Sequence, residues 1–159
     1  VERAHMREAI ALHTQVTGAA PLGWYQGRTS PNTARLVAEE GCFLYDADSY
    51  ADDLPYYDRQ YGVPQLVVPY TLDVNDMKFA ALNGFTEGEQ FYHYLRDTFD
   101  MLYREGGRMM SVGLHCRLAG KPARALAVAR FLEHVAAHTD AWVATRADIA
   151  RHWLKVHPA

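Results

Sequence analysis

A titratable ring, His115, stands at the end of the apolar run MMSVGLH (109–115). Histidine is the side chain most often used for proton transfer near neutral pH, and a carboxylate beside it can hold the ring in one orientation. Aspartates follow other apolar runs of the chain, among them Asp46, Asp73 and Asp76. These residue types predict acid–base chemistry, provided that the fold brings the ends of those runs together.

Apolar helical periodicity alternates along the chain with short runs rich in β-forming residues. The pattern predicts one α/β domain over 1–159, with parallel strands connected by helical crossovers. Helices are predicted at 3–16, 31–40, 87–104, 121–138 and 146–157, with Ser30 as an N-cap and Pro31 and Pro122 in first turns. Strands are predicted at 21–25, 42–46, 65–70, 109–115 and 141–145.

In a sheet or barrel of this kind, chemistry gathers at the carboxyl ends of the strands. For any single polar residue there, a turn in a polar loop is an adequate explanation. The set as a whole, which also includes aromatic and basic side chains, favours a site. Its members are Trp24, Tyr25, Arg28, Asp46, Asp48, Tyr70, Asp73, Asn75, Asp76, His115, Arg117, Thr145 and Arg146.

Competing motifs are weaker. HVAAH (134–138) has metal-ligand spacing, but no glutamate stands between its histidines and no third ligand follows at useful range, so a solvated helix end is expected. Glycine-rich nucleotide loops, the G-x-S-x-G elbow and C-x-x-C are absent. The sequence therefore predicts no cofactor and no metal ligands of its own.

Composition limits the partners. A net charge of -3, with 16 Lys and Arg spread along 159 residues, indicates no nucleic-acid surface, and no apolar run is long enough to span a membrane. Cys42 and Cys116 lie in apolar stretches, which predicts buried, reduced thiols and a cytoplasmic location.

Three segments carry a family resemblance: GWYQGRTSPNTARLVAEEGCFLYDADSYADDLPYY (23–57), VPYTLDVNDMKFA (68–80) and MMSVGLHCRLAGKPARA (109–125). Together they resemble the C-terminal half of a metal-independent allantoinase, a branch of the polysaccharide deacetylase (NodB homology) family. The resemblance implies part of an irregular (β/α) barrel that opens the hydantoin ring of allantoin, or of a related cyclic ureide, to give allantoate. It also implies purine breakdown in the cytoplasm and a homotetramer.

Site roles follow from the same resemblance. GLH matches the family's L-x-H motif, which makes His115 the catalytic histidine, and DVND matches D-x-x-D, in which Asp76 would polarise it. The family's R-P-P-Y motif is not kept: Tyr25 takes its arginine position and the nearest guanidinium is Arg28. A small neutral substrate rich in N–H and C=O groups would be bound by the set Trp24, Tyr25, Arg28, Tyr70, Asp73 and Asn75.

The family's paired aspartates and H-x-x-x-H metal motif belong to the first half of the barrel, which would precede Val1. The N-terminal half of the barrel is therefore an expected partner, because about five β/α units cannot close a barrel. Two other functions stay open at this point. One is a zinc-dependent polysaccharide deacetylase, and the other is a catalytically silent half that docks on a partner chain.

Overall fold

A computed structural model describes residues 1–159, which form two compact units. The first unit comprises residues 1–69 and 144–159, and the second comprises residues 70–143. The helices are α1 (Glu2–Thr17), α2 (Thr33–Glu40), α3 (Gly88–Glu105), α4 (Cys116–Ala119), α5 (Pro122–Ala136) and α6 (Arg146–Val156), with a 3-10 helix at Asp76–Phe79. The strands are β1 (Gly23–Trp24), β2 (Tyr45–Asp46), β3 (Tyr56–Asp58) and β4 (Gln65–Val67). A single domain over 1–159 stays a prediction.

The sheet belongs to the first unit and has the order β1-β2-β4-β3. β1, β2 and β4 are parallel, and β3 adds an antiparallel edge, with Tyr56 opposite Val67. The apolar side chains of β4 are buried, as expected for a strand covered on both faces. β3 lies in the stretch 47–62, between two predicted strands, which the sequence predicts to be a loop because its tyrosines and aspartates show no apolar alternation.

Helices α1 and α2 pack together in the first unit. Met6 of α1 is buried against Leu36 and Val37 of α2, and ion pairs from Arg3 and Arg7 to the glutamates that end α2 border this contact. α2 ends at Gly41, whose φ of 64° is accessible to glycine at little cost.

The predicted start of α2 is wrong by two residues. Ser30 is not its N-cap, because the Ser30 hydroxyl accepts from Asn32 N and the Ser30 N–H donates to Thr33 Oγ1. This local turn delays the first helical residue to Thr33, which leaves Pro31 outside the helix.

The core of the second unit lies between α3 and α5. Phe91 and Leu95 are four residues apart on α3, and Phe131 and Val135 are four apart on α5, so each pair forms one helix face. Val74 completes this cluster. All five side chains are less than 10% exposed, which makes the cluster the main apolar support of the unit.

Two predicted strands are absent. The segment 109–115 makes a single parallel bridge, between Asn75 and Gly113, and the segment 141–145 makes none. A strand needs a ladder of backbone hydrogen bonds, and the chain turns into a helix on both sides of that one bridge, at Asp76 and at Cys116. The wider prediction is confirmed: the chain is α/β, with parallel strands and helical crossovers.

Two further expectations concern the surface. Both Cys42 and Cys116 are exposed thiols, so their predicted burial is wrong. None of the helices combines the length and the apolar character that crossing a bilayer requires.

Candidate active site

Asp76 is the most deeply buried acidic side chain of the second unit, with no exposed surface. Its Oδ2 accepts from the backbone N–H of His115 at 2.7 Å and of Ala119 at 3.1 Å, and its Oδ1 lies 2.6 Å from His115 Nδ1. A buried carboxylate is tolerated when its oxygens are hydrogen-bonded in this way. Asp76 therefore fixes both the backbone and the ring of His115.

The His115 side chain is 32% exposed, so one edge of the ring is accessible while the other faces Asp76. Because a carboxylate oxygen accepts, Nδ1 carries the proton of their hydrogen bond. Nε2 is then the nitrogen that can give or take a proton. The hydrogen bond expected between the two residues is present, and their catalytic role stays a prediction.

Local backbone pairing brings these two residues together. Asp76 N donates to Gly113 O at 3.0 Å, and Gly113 N donates to Val74 O at 3.1 Å. A Cβ at position 113 would stand 2.0 Å from the Tyr70 hydroxyl, so only glycine allows this approach. Two residues after Gly113 the chain reaches His115, the N-cap of α4.

Three of the predicted substrate-binding residues belong to the same unit as the Asp76–His115 dyad. Asn75 caps the 3-10 helix, its Oδ1 accepting from Met77 N at 2.8 Å, and its Nδ2 donates to the Tyr70 hydroxyl at 2.6 Å. Asp73 instead accepts from the Tyr94 hydroxyl at 3.0 Å. Burial and then this hydrogen bond raise the pKa of Tyr94. Tyr70 and Asn75 are thus hydrogen-bonded to each other, with Asn75 preceding Asp76 in the chain, whereas Asp73 is hydrogen-bonded to α3.

The other three predicted substrate-binding residues belong to the first unit. The Trp24 ring packs on Phe43 with centroids 5.4 Å apart, and its buried Nε1 has no hydrogen-bond partner. Tyr25 is 47% exposed and lies under the Arg146 guanidinium. Arg28 is exposed. Their role in substrate binding stays a prediction.

Asp46 is a second buried acid, at the end of β2 in the first unit, and is 5% exposed. Burial raises the pKa of Asp46 to about 6. The hydrogen bond that Asp46 accepts from Asp48 N lowers the pKa, and the nearby negative charges of Asp48 and Asp58 raise it. Asp48 itself accepts from the N–H groups of Gln26 and Gly27, at 2.8 Å each. The sequence predicts both acids at a strand end, but it does not indicate that Asp46 is buried and Asp48 is not.

Comparison with known proteins finds relatives that match nearly the whole of this chain. A crystal structure of PuuE allantoinase is 56% identical with a TM-score of 0.95, over 99% of this chain and 54% of that one. A Pseudomonas aeruginosa PAO1 structure assigned to the polysaccharide deacetylases gives the same figures. One from Mycobacterium smegmatis, also assigned to them, is 26% identical with a TM-score of 0.81, over 95% of this chain and 55% of that one.

A polysaccharide deacetylase homologue of Schizosaccharomyces pombe is 40% identical over 99% of this chain and 55% of its own length. No protein-family model matches the sequence. The chain thus spans about half the length of the relatives it matches. The predicted fold, the C-terminal part of a NodB-type barrel, is confirmed by this overlap. Over nearly its whole length the chain is similar to the C-terminal half of proteins assigned to the polysaccharide deacetylase family, and an allantoinase is among its structural neighbours.

Proposed function

We propose that the protein is a hydrolase that opens the hydantoin ring of allantoin to give allantoate. The observation that carries the proposal is the 2.6 Å hydrogen bond between His115 Nδ1 and the buried Asp76 carboxylate. The likeness to PuuE allantoinase over nearly the whole chain supports the choice of substrate.

The reaction adds water to a ring carbonyl carbon and breaks the C–N bond of that amide. The leaving nitrogen must gain a proton as the bond breaks, and a positioned imidazolium can supply it. His115 would donate from Nε2, while Asp76 holds Nδ1–H and stabilises the charged ring. The part-exposed edge of His115 would face the substrate.

Allantoin is neutral and carries several N–H and C=O groups, so its site needs donors and acceptors more than charge. Tyr70 and Asn75, which are hydrogen-bonded to each other next to Asp76, would line the pocket. Asp73 of the same unit belongs to the proposed binding set, and the roles of Trp24, Tyr25 and Arg28 of the first unit stay predictions. Nothing in this assignment requires a cofactor.

Metal chemistry needs separate consideration, because the family resemblance includes zinc-dependent deacetylases. The Asp76–His115 pair does not fit a metal centre. Three N–H groups already occupy the carboxylate, and only one ring nitrogen is left to coordinate. No step of the proposed reaction is routed through a metal.

A second candidate is the removal of N-acetyl groups from a polysaccharide. It is favoured by the Pseudomonas aeruginosa and yeast relatives, which carry the deacetylase name. Both reactions hydrolyse an amide C–N bond, so the same dyad would serve either one. They differ in substrate size and in metal requirement.

The cellular setting is also a proposal. The protein would act in purine breakdown, in the cytoplasm, as a homotetramer. The N-terminal half of the barrel would supply the carboxylates that activate water, and without it the 159-residue chain would not turn over allantoin. No nucleic-acid or membrane partner is proposed.

A substrate panel tests these proposals. It is assayed before and after chelation with the full-length protein, that is, with this chain together with the proposed N-terminal half of the barrel. Allantoin turnover that survives chelation is expected, with no release of acetate from N-acetylated oligosaccharides. Acetate release that chelation abolishes would overturn the allantoinase proposal in favour of the deacetylase. Absence of both activities would favour a catalytically silent domain.

A further inference from the structure

We propose that Asp100, His134 and His138 form a binding site for a divalent transition metal, of which Zn²⁺ is the expected occupant, on the surface between α3 and α5. The ligand atoms of these side chains all lie within 4.8 Å of one another. The sequence shows only the two histidines of HVAAH. The fold supplies the third ligand, Asp100, from 34 residues earlier in the chain.

The backbone arranges the ligands suitably. His134 and His138 are four residues apart, so their rings stand on one face at the end of α5, with centroids 5.1 Å apart. His134 Nε2 is 2.6 Å from Asp100 Oδ1. Zinc–nitrogen and zinc–oxygen bonds are about 2.0–2.2 Å, so tetrahedral ligand atoms stand about 3.3 Å apart. Small side-chain rotations bring the three atoms to that spacing.

One hydrogen bond fixes the tautomer that binding needs. His138 Nδ1 lies 2.9 Å from the backbone carbonyl of His134. A carbonyl only accepts, so Nδ1 carries the proton and Nε2 keeps its lone pair for a metal. Ligating histidines commonly donate their other ring N–H to a carbonyl in this way.

Aromatic packing holds both rings. Phe99 contacts His134 and His138 edge to face, with centroids 5.7 and 5.0 Å apart, and Tyr103 packs on His138 at 4.7 Å. The Tyr103 ring is itself anchored, since its hydroxyl donates to Asp140 at 2.7 Å. The site therefore loses little side-chain freedom when a metal binds.

The donor set selects the class of metal. Two imidazoles and one carboxylate suit Zn²⁺ or Co²⁺, whereas Mg²⁺ and Ca²⁺ prefer oxygen ligands throughout. The ligands line an open depression of about 470 Å³, where water can take the fourth position. A bound ion would connect α3 to α5 and so reinforce the core of the second unit.

The alternative is a metal-free ion pair between His134 and Asp100. An ion pair between these two side chains does not involve His138, whereas the metal site uses all three side chains. Substitution of His138 therefore separates the two explanations.

Titration of the full-length protein with Co²⁺ tests the proposal, because tetrahedral Co²⁺ absorbs visible light. The wild type is expected to bind one Co²⁺ per chain at this site, in competition with Zn²⁺. His138→Ala and Asp100→Asn should each weaken that binding roughly tenfold or more. His93→Ala is the matched control, since His93 is an exposed histidine of α3 beside Glu89, and it should bind as the wild type does.

A second readout is thermal stability. Zn²⁺ should raise the Tm of the wild type and of His93→Ala but not that of His138→Ala, because a ligand of the native state stabilises it by mass action. Circular dichroism confirms that each variant is folded. Co²⁺ binding that is equal in His138→Ala and the wild type, or weaker than about 1 mM in the wild type, would overturn the proposal.

Discussion

The buried carboxyl of Asp46 makes the stability of the protein depend on pH, and Asp46→Asn should remove that dependence. The folded-state pKa is raised to about 6 from an ordinary value of 3.8, chiefly by burial. Between these two pH values the native state holds a proton that the unfolded chain has lost. Stability must therefore fall as pH rises through this window, and the loss is complete above pH 6.

The size of the effect follows from the shift. A rise of about 2 pKa units, at about 1.4 kcal/mol each, corresponds to a loss of about 3 kcal/mol. Asparagine cannot ionise, and its Oδ1 can still accept the 3.1 Å hydrogen bond from Asp48 N. The variant therefore avoids the buried charge at pH 8 while it keeps the local structure. Relative to the wild type, we expect Asp46→Asn to gain about 3 kcal/mol of stability between pH 3.5 and pH 8.

Urea unfolding followed by circular dichroism, at pH 3.5 to 8 for both proteins, measures this difference. Asp53→Asn is a suitable control, since it removes a less buried carboxylate from the following loop, and it should not reproduce the change. The reasoning is refuted if the stability difference between Asp46→Asn and the wild type is the same at every pH.

Three further predictions concern packing and backbone hydrogen bonds. Gly113→Ala should cost about 1–3 kcal/mol in urea unfolding, because its Cβ would stand 2.0 Å from the Tyr70 hydroxyl; an unchanged midpoint would contradict this. Phe91→Ala should cost about 3–5 kcal/mol, because Phe91 is fully buried. Leu82→Ala, at a side chain that is 98% exposed, should change the free energy of unfolding by no more than about 0.5 kcal/mol. Equal losses of stability for Phe91→Ala and Leu82→Ala would count against the described core. Asp48→Ala should cost about 1–3 kcal/mol, because it removes the acceptor of two backbone N–H groups, and wild-type stability would argue against that contact.

Much of the fold could be predicted from the sequence. The helices α3 and α5 were predictable to within two residues, because apolar side chains recur at helical spacing and Pro122 marks the start of α5. The positions and ends of the strands could not be predicted in this way. β3 contains no apolar alternation, and the strand-like run 109–115 makes only one bridge, since pairing depends on distant backbone that composition does not reveal.

The candidate site was predictable in part. The residue types and the family motifs indicate His115 and Asp76, and the fold joins them across 39 residues. The engagement of Asp73 by Tyr94 was not predictable, because it depends on how α3 packs. Asp100 was missed for the same reason, since a ligand on another helix leaves no spacing signal near HVAAH.

The most direct test of the central claim is the kcat of His115→Ala on allantoin, measured in the full-length protein. If His115 delivers the proton to the leaving nitrogen, kcat should fall by about 10² to 10⁴, the usual contribution of a positioned acid or base. Asp76→Asn should also lower kcat, because the variant has no carboxylate to hold the His115 ring. A folded His115→Ala protein with a kcat within about tenfold of the wild type would contradict the proposed role of this pair.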